Sequence, residues 1–441
     1  MGILLKEIRI SNFRSFKFAS INLDGNSVLI GANNAGKTTL LEAIKLAFTN
    51  GNRISKEDIH IEQGETLNLE KQAFIDIYIE PINTTEDGIK EFNDSWFELI
   101  GDLRSEDFDM NQFFAFRTIV KYNKIKMDYE IERKVFNEWP NIEDVTRFTN
   151  FKPKSVNGNI FQSMPVFYLD AKRDITLEMK SKNSYWGQLV KDVGISKEDR
   201  ETIESTLEDI NGNIIEKSSV LQHLKTKLES INNTLASRNA EVNIEPISGR
   251  VEDLNRGMEI KLKDYNSEPF SIGIHGMGTR SWVTFLTLVA YIEWKIQKMN
   301  EEEIPFHPII LLEEPEAHLH PQAQRKIFNQ IKDLKGQILV STHSPIIVAQ
   351  VELKDIIHIS KKQNASTINK IDVSGLAAQD GIRKVKQEVL NTRGDLLFAN
   401  AIILCEGETE EQSLPKFFRK HFGYEAFELG VNIISVGGSG K

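Results

Sequence analysis

The sequence has a single cysteine, Cys405, and no long uncharged apolar run. One cysteine excludes an internal disulfide framework and cannot complete a Cys/His zinc site. It fits a reducing compartment, so we expect a cytoplasmic protein. No apolar segment reaches the ~18 residues that a membrane span needs, and the amino terminus lacks a signal-peptide pattern, so no membrane partner is expected.

The chain also lacks a basic excess, because 54 lysine and arginine residues stand against 64 acidic ones and give a net charge of −10. An acidic average does not exclude a local basic groove, so DNA binding is neither supported nor excluded by charge. With 441 residues, 40% of them hydrophobic, the chain is long enough for two or three folded domains.

Residues 31–38 form a complete phosphate-binding loop, Gly-Ala-Asn-Asn-Ala-Gly-Lys-Thr, between the apolar strand 28–30 and a helix that opens at 40–44. Loop N–H groups and the positive end of the helix bind the β-phosphate, Lys37 reaches the β and γ oxygens, and Thr38 ligates Mg²⁺. The pattern therefore predicts ATP binding by Asn33, Asn34, Gly36, Lys37, Thr38 and Thr39.

Two later strand ends carry residues suited to nucleotide hydrolysis. The apolar residues 309–312 lead into Glu313 and Glu314, and a buried strand would hold Glu313 beside the Mg²⁺ and Glu314 beside the attacking water. His343 follows the next apolar strand, 337–340, where it could sense the γ-phosphate. A surface acidic run and a structural histidine are the alternative interpretations.

Two further segments are less specific. Residues 275–281 are glycine-rich and precede a helix, so N–H groups at Gly276 and Gly278 could bind a phosphate. Residues 195–240 keep a 3–4 apolar spacing that predicts a helical arm, with Asn211-Gly212-Asn213 as a candidate turn between two helices. The arm is interpreted either as an amphipathic helix packed on its own domain or as a dimerisation surface.

Alternating apolar and polar residues at 73–80 and 114–136 predict antiparallel strands with one solvated face. Near the carboxyl end, the apolar strand 401–404 leads to Glu406 at a glycine turn, with Glu410 four residues later. These two carboxylates could converge on Mg²⁺ or Mn²⁺. The alternative is a helix start decorated with acids that complement its dipole. Glu408 and Glu411 are expected to be solvated.

Together these motifs resemble the ATP-binding-cassette ATPases of the SMC and RecF type. The matches, in the family's terms, are residues 31–38 as Walker A, 309–314 as Walker B, 275–281 as signature loop, 316–321 as D-loop, His343 as switch histidine and 12–15 as the amino-terminal strand motif. The resemblance implies that two heads sandwich two ATP molecules, with Arg14 contacting nucleotide and Ser281 the γ-phosphate in trans. Glu313 replaces the family's usual aspartate, and the signature departs from Leu-Ser-Gly-Gly.

The strand-Glu-Gly-x-x-Glu pattern at 401–410 resembles the start of a Toprim domain. A Walker-type head followed by Toprim resembles the OLD (overcoming lysogenisation defect) family of ATP-dependent endonucleases, which includes anti-phage effectors, and residues 167–174 resemble a segment of its heads. The chain ends 35 residues after Glu406, before the Asp-x-Asp strand that Toprim needs. We therefore expect an incomplete Toprim domain and at best impaired cleavage by this chain.

The predicted fold is α/β: an ABC/SMC/RecF-like ATPase head with an antiparallel β flank, an inserted helical arm and a partial Toprim domain. The predicted parts are an amino-terminal head lobe (1–190), the arm (191–245), a second head lobe (246–360), a linker (361–395) and the Toprim start (396–441).

The predicted function is the ATP-hydrolysing head of an OLD-type DNA endonuclease in anti-phage defence. Its expected form is a homodimer or higher homo-oligomer that associates through heads and arm. DNA is an expected partner, and a defence protein or RNA is a further candidate. The alternatives are a non-nuclease sensor ATPase that controls a separate effector, and a RecF-like DNA-repair clamp.

Overall fold

The computed structural model describes residues 2–49, 54–66, 68–156, 158–181, 183–191, 196–229, 259–263, 268–362, 365–371, 383, 387 and 394–436. The chain forms two compact units, which we call the head unit (1–171 with 295–441) and the inserted unit (172–294). Part of the predicted arm, 230–245, and most of the predicted linker lie outside the described residues. The division into five parts drawn from the sequence stays a prediction.

The strands, in chain order, are β1 (Ile3–Phe13), β2 (Phe16–Asn22), β3 (Ser27–Ile30), β4 (Ala73–Pro81), β5 (Ser105–Glu106), β6 (Gln112–Asn123), β7 (Asp128–Val135), β8 (Val166–Leu169), β9 (Lys261–Leu262), β10 (Phe270–Ser271), β11 (Ile309–Glu313), β12 (Gln337–Ser341), β13 (Ile356–Lys362), β14 (Ala365–Lys370), β15 (Ala401–Cys405) and β16 (Val431–Ser435).

The α-helices are α1 (Lys37–Phe48), α2 (Asp94–Ile100), α3 (Gly158–Ser163), α4 (Ile175–Glu178), α5 (Tyr185–Lys191), α6 (Lys197–Lys217), α7 (Ser219–Glu229), α8 (Met277–Glu301), α9 (Pro321–Lys332), α10 (Pro345–Val348) and α11 (Glu408–Phe422). Within the described part of the chain, no helix is long and apolar enough to span a membrane.

An antiparallel sheet with strand order β2-β1-β4-β6-β5, to which β7 adds on β6, forms the predicted flank. One face packs on the main core through Ile75, Ile77 and Ile79. The opposite face of β4 was expected to be solvated, and this is wrong. Asp76 is fully buried there and pairs with Arg117 of β6 at 2.7 Å, because the aromatic cluster around Phe136 covers this side.

The central sheet has strand order β14-β13-β3-β12-β11-β8, and every neighbouring pair except β13–β14 is parallel. Its middle strands are short apolar runs buried on both faces, as parallel strands are. Glu313 pairs with Ser341 and Ser341 with Leu29, so β3, β12 and β11 end at one edge. The loops that follow these strands are therefore neighbours.

One buried glutamine links the two sheets. Gln337, at the start of β12, accepts the Leu5 N–H through Oε1 and donates to the Leu5 carbonyl through Nε2, both at 2.8 Å. The pairing of β1 with β2 reaches only as far as Glu7, so at Leu5 the glutamine takes the place of β2. The amide thus replaces a missing strand partner.

The inserted unit contains the described part of the predicted arm. α6 begins at the cap residue Ser196, whose hydroxyl accepts from the Asp199 N–H at 3.1 Å. The predicted turn at Asn211-Gly212-Asn213 is wrong, because α6 runs through it and the break comes at Ser218. Helical spacing of the flanking apolar residues favours continuation over the turn propensity of these three residues. Ile210, Val220 and Leu224 of the arm are exposed.

The carboxyl-terminal segment of the head unit forms its own small βαβ element. β15 and β16 pair in parallel from Ala401↔Val431 to Cys405↔Ser435, and α11 connects them. α11 ends at Gly423, whose φ of +80° is the left-handed conformation that suits glycine at a helix end. The α/β class, the antiparallel flank and this Toprim-like start agree with the sequence prediction.

Candidate nucleotide-binding site

The phosphate-binding loop connects β3 to α1, and its glycines are required by close packing. The backbone of Gly31 has φ +147°, and a Cβ there would lie 2.0 Å from the Ile359 carbonyl oxygen. Gly36 has φ +117°, and a Cβ would lie 2.6 Å from Ser366 Oγ. No side chain among the described residues caps α1, so its first N–H groups point at the loop's cavity. This arrangement suits an anion.

Lys37, the first residue of α1, is only 6% exposed. Its Nζ donates to the carbonyl oxygens of Gly31 and Ala32 at 2.9 and 3.0 Å, which holds the ammonium over the loop. Burial lowers the pKa of Lys37, while the carboxylates of Glu314 and Glu313 oppose that shift. The lysine is thus fixed between the phosphate loop and the acids that end β11.

Thr38 and Glu313 form the part of the site that suits a divalent cation. Thr38 Oγ1 donates to Glu313 Oε1, and Tyr168 OH donates to Glu313 Oε2 at 2.6 Å. Burial, and then the bond to Glu313, raises the pKa of Tyr168, so its phenol keeps the proton that it donates. A hydroxyl and a carboxylate are hard oxygen ligands, so these residues fit Mg²⁺.

Glu314 and His343 face each other across the same cavity. Glu314 has a positive φ of +43°, and its N–H donates to the Ser341 carbonyl oxygen at 2.8 Å, which turns the chain sharply at the end of β11. His343 Nε2 lies 3.6 Å from Glu314 Oε1. Burial and the charge of Lys37 lower the pKa of His343, so its ring is neutral near pH 7.

These side chains line one cavity of about 470 Å³. The lining residues are Ser15, Asn33, Asn34, Gly36, Lys37, Thr38, Thr39, Glu313, Glu314, Ser341 and His343. All of these residues except Ser15 and Ser341 were predicted from the sequence as site residues. Ser15 lies in the turn after β1 and is the last residue of the amino-terminal strand motif 12–15.

Arg14, predicted to contact nucleotide, does not line this cavity. Its Nε donates to Asp58 Oδ1 at 2.8 Å, and its backbone N–H donates to the Asp58 carbonyl oxygen at 3.0 Å. The residue has φ +46°, so the turn after β1 is tightly held. The nucleotide contact of Arg14 stays a prediction.

The signature-like residues belong to the inserted unit. Gly276 directly precedes α8, and Gly278 lies in its first turn, so the helix begins inside the glycine-rich stretch. Ser281 is 1% exposed and its Oγ has no hydrogen-bond partner among the residues described. Its contact with a phosphate in trans stays a prediction. Arg280 Nη1 donates to Asp174 Oδ2 at 2.8 Å, so this helix start is held to the residue that caps α4.

The carboxyl-terminal acids have different roles. Glu406 is exposed at the end of β15. Glu410 Oε2 accepts the Gly407 N–H at 3.1 Å, which is the helix-start role named as the alternative. Glu411 was expected to be solvated, and this is wrong, because it accepts from Ser435 Oγ of β16 at 2.8 Å. No group of three or more His, Cys, Asp or Glu that could hold a metal ion exists among the described residues.

Sequence reasoning did not single out Tyr168 or Glu316 as site residues. The ring of Tyr168 lies 4.4 Å from Lys45 Nζ, and its strand β8 pairs with β11 so that Leu311 faces Tyr168. Glu316 accepts from the Thr342 hydroxyl at 2.7 Å and the His343 N–H at 2.8 Å. The sequence did offer a signal for both residues, because Tyr168 lies in the segment 167–174 and Glu316 in the segment 316–321, which resemble family motifs.

Comparison with known proteins assigns both parts of the chain. Residues 4–348 match the AAA ATPase domain family, and residues 397–441 match the overcoming lysogenization defect protein-like TOPRIM domain. The Old nuclease of Escherichia phage P2 is 24% identical, over 100% of this chain and 74% of that protein. The OLD nuclease of Thermus scotoductus is 23% identical, over 95% of this chain and 74% of that protein.

Endonuclease GajA of Bacillus cereus is 23% identical, over 92% of this chain and 66% of that protein. The match to the ATPase family covers most of the chain and contains all the residues that line the cavity. The TOPRIM match begins just before β15 and contains Glu406 and Glu410. The chain therefore belongs to the AAA ATPase domain family, in an OLD-type arrangement in which this domain precedes a TOPRIM domain.

Proposed function

We propose that this chain is the ATP-binding and ATP-hydrolysing head of an OLD-type DNA endonuclease. One observation carries the proposal: the parallel ends of β3, β11 and β12 bring Lys37, Glu314 and His343 to a single cavity beside the phosphate loop. The family match supports the ATPase part, and the TOPRIM match supports the nuclease part.

The residues have distinct roles in the proposed hydrolysis. Lys37 and the N–H groups at the start of α1 bind the β- and γ-phosphates and hold ATP in one orientation. Glu314 orients a water for in-line attack and takes its proton, and neutral His343 donates a hydrogen bond to the γ-phosphate. Thr38 and Glu313 would hold Mg²⁺, which neutralises phosphate charge when bound.

Substitution of the loop lysine tests ATP binding. Lys37→Ala removes a charged donor to two phosphates, so we expect at least about tenfold weaker binding of a fluorescent ATP analogue, measured by titration. Lys56→Ala, on an exposed lysine outside the cavity, is the matched control. Unchanged affinity of Lys37→Ala would refute the assignment of this loop.

We propose that Glu406 and Glu410 contribute to a TOPRIM metal site for Mg²⁺ or Mn²⁺, together with acids outside the described residues. Glu406→Ala should abolish metal-dependent nicking of supercoiled DNA by the full-length protein and leave ATP hydrolysis intact. Glu408→Ala, on an exposed neighbour in the same helix start, is the control. Nicking that survives Glu406→Ala would refute this site.

The proposed assembly is a homodimer or higher homo-oligomer in the cytoplasm, formed through the ATPase heads and the arm. It would act on DNA in anti-phage defence, with a protein or RNA partner. Exposed apolar residues of α6 and α7 support the arm as a contact surface. A sensor ATPase or a RecF-like clamp has no need of a TOPRIM domain, so the TOPRIM match supports the nuclease over both alternatives.

A further inference from the structure

Glu316 is a buried acid beside the cavity that the proposed hydrolysis does not use. It is 9% exposed and lies in the loop after β11. Its Oε1 accepts two hydrogen bonds, from Thr342 Oγ1 at 2.7 Å and from the His343 N–H at 2.8 Å. Its Oε2 is also buried, without a hydrogen-bond partner among the residues that the structure describes. Both side-chain hydrogen bonds of Glu316 therefore go to the loop that carries His343.

The same two loops are joined on either side of this contact. The Glu314 N–H donates to the Ser341 carbonyl oxygen at 2.8 Å. Thr342 Oγ1, which donates to Glu316, accepts in turn from the Ser344 N–H at 2.9 Å. Ser344 Oγ donates to Gln324 Oε1 of α9 at 2.6 Å. A continuous series of hydrogen bonds thus runs from the loop after β11, through the loop after β12, to a helix of the head.

We propose that Glu316 is a positioning residue for ATP hydrolysis, which holds the His343 loop in place against the loop that carries Glu314. The inference rests on the proposed function, and it assigns the residue no contact with nucleotide. The His343 ring lies 3.6 Å from the Glu314 carboxylate, so a small displacement of the loop separates the two groups. Displacement of reacting groups by about 1 Å can reduce turnover about 100-fold.

The variants Glu316→Ala and Glu316→Gln distinguish a role in positioning His343 from a role in packing alone. Glu316→Ala removes the acceptor of both bonds, whereas Glu316→Gln keeps a carbonyl oxygen for them in the same volume. Burial raises the pKa of Glu316, and glutamine removes the ionisable group while it keeps the shape of the side chain. Glu316 bonds to the His343 loop, whereas Lys37 bonds to the Gly31 and Ala32 carbonyl oxygens, so ATP affinity should depend little on Glu316.

The test is steady-state ATP hydrolysis with Mg²⁺, alongside binding of a fluorescent ATP analogue. Glu316→Ala should lower kcat about 10- to 100-fold and leave ATP affinity within about threefold of wild type. Glu316→Gln should recover at least about a third of wild-type kcat. Glu302→Ala, on an exposed acid near the end of the long helix α8, is the control for removal of a carboxylate.

A double-mutant comparison tests whether Glu316 acts through His343. In a His343→Ala background, Glu316→Ala should lower kcat less than about twofold further, because the group that it positions is already gone. If Glu316→Ala does not fold, Thr342→Val removes one of the two donors to Glu316. It should then lower kcat about three- to tenfold with unchanged ATP affinity.

Three results would overturn the inference. The first is a Glu316→Ala variant that hydrolyses ATP with the same kcat as an active wild type. The second is parallel loss of ATP affinity, melting temperature and kcat without recovery by Glu316→Gln, which would indicate a purely structural role. The third is a full additive loss in the His343→Ala background. A wild type that binds but never hydrolyses ATP would instead refute the proposed function, and the inference with it.

Discussion

Glu313 stands where ABC-type ATPases usually have aspartate, and the structure explains how the longer side chain is accommodated. Thr38 Oγ1 donates to one carboxylate oxygen and the Tyr168 phenol donates to the other. Both oxygens are therefore oriented by neighbours from different elements, α1 and β8. Such outer contacts fix a carboxylate's position relative to a bound metal and tune its affinity.

Removal of the Tyr168 hydroxyl should raise the Mg²⁺ concentration that ATP hydrolysis requires. Tyr168→Phe keeps the ring against Lys45 but removes the hydroxyl that donates to Glu313 Oε2, so we expect the Mg²⁺ concentration for half-maximal ATPase activity to rise about 10-fold. Mg²⁺ titration of ATP hydrolysis measures it, with Tyr424→Phe, an exposed tyrosine, as the control. An unchanged Mg²⁺ requirement would show that Tyr168 does not orient Glu313.

His307 makes the stability of the head depend on pH. Burial lowers its pKa to about 4 from 6.5, so the unfolded chain binds more protons than the folded chain between these values. The neutral, buried His307 stabilises the folded state fully above about pH 6.5. As the pH falls toward 4, the free energy of unfolding decreases by roughly 3 kcal/mol.

The substitution His307→Gln, which cannot titrate, isolates this contribution. We expect wild type to lose roughly 2–3 kcal/mol more free energy of unfolding than the variant when the pH is lowered from 7.5 to 4.5. Urea unfolding at the two pH values measures the difference. Equal pH dependence in the two proteins would mean that His307 titrates normally in the folded state.

At the scale of elements, buried polar residues add specific contacts to apolar packing, both between the two sheets and within one of them. Gln337 binds both backbone groups of Leu5, and Arg117 pairs with Asp76 inside the antiparallel sheet. Arg117 also donates to the Val145 carbonyl oxygen at 2.6 Å, so the ion pair is satisfied on both sides. Buried groups of this kind are costly to leave unpaired, which makes the arrangement of the two sheets specific.

The link through Gln337 can be measured. Gln337→Leu preserves side-chain size but leaves the buried N–H and carbonyl of Leu5 without the amide. We expect the free energy of unfolding to fall by about 2–5 kcal/mol, as judged by urea unfolding. Gln322→Leu, at an exposed position of α9, should change it by less than about 0.5 kcal/mol. An equally small decrease in the free energy of unfolding for both variants would show that Gln337 does not stabilise the contact between the sheets.

At the scale of the whole molecule, ATP-dependent association is the property that the proposed function most directly demands. Lys37 and Glu314 line one cavity of the head, and the signature-like residues belong to the inserted unit. In the proposed dimer, the signature-like residues of one chain cap the nucleotide of the other. Bound ATP would then hold the dimer and hydrolysis would release it, so slower hydrolysis should lengthen association.

Glu314→Gln should therefore trap the associated form. Loss of a general base slows hydrolysis about 10²- to 10⁴-fold without removing a phosphate contact. We expect this variant to sediment as a dimer with ATP and as a monomer without it in analytical ultracentrifugation. The Lys37→Ala, Glu314→Gln double variant should stay monomeric in both conditions. A Glu314→Gln chain that is monomeric with saturating ATP would contradict association through the heads.

Most of the cavity could be predicted because its residues lie in contiguous motifs. Residues 31–38 form a loop whose own backbone suits phosphate, and Glu313, Glu314 and His343 follow apolar residues of strands. Tyr168 and Glu316 could not be assigned roles in the same way, since their partners lie 145 and 26 residues away in the chain. The turn at 211–213 was misjudged because local propensity is weaker than helical packing.

The sequence alone determined the class of this protein: a phosphate loop, acids after a buried strand and a TOPRIM-type start each use short-range chemistry within about ten residues. The tertiary structure decided which neighbours orient these groups. Strand pairing brings Tyr168 to Glu313, and the adjacent ends of β11 and β12 bring Glu316 to the His343 loop. Hydrogen bonds act over about 3 Å in space, whatever the separation along the chain, so only the folded arrangement specifies them.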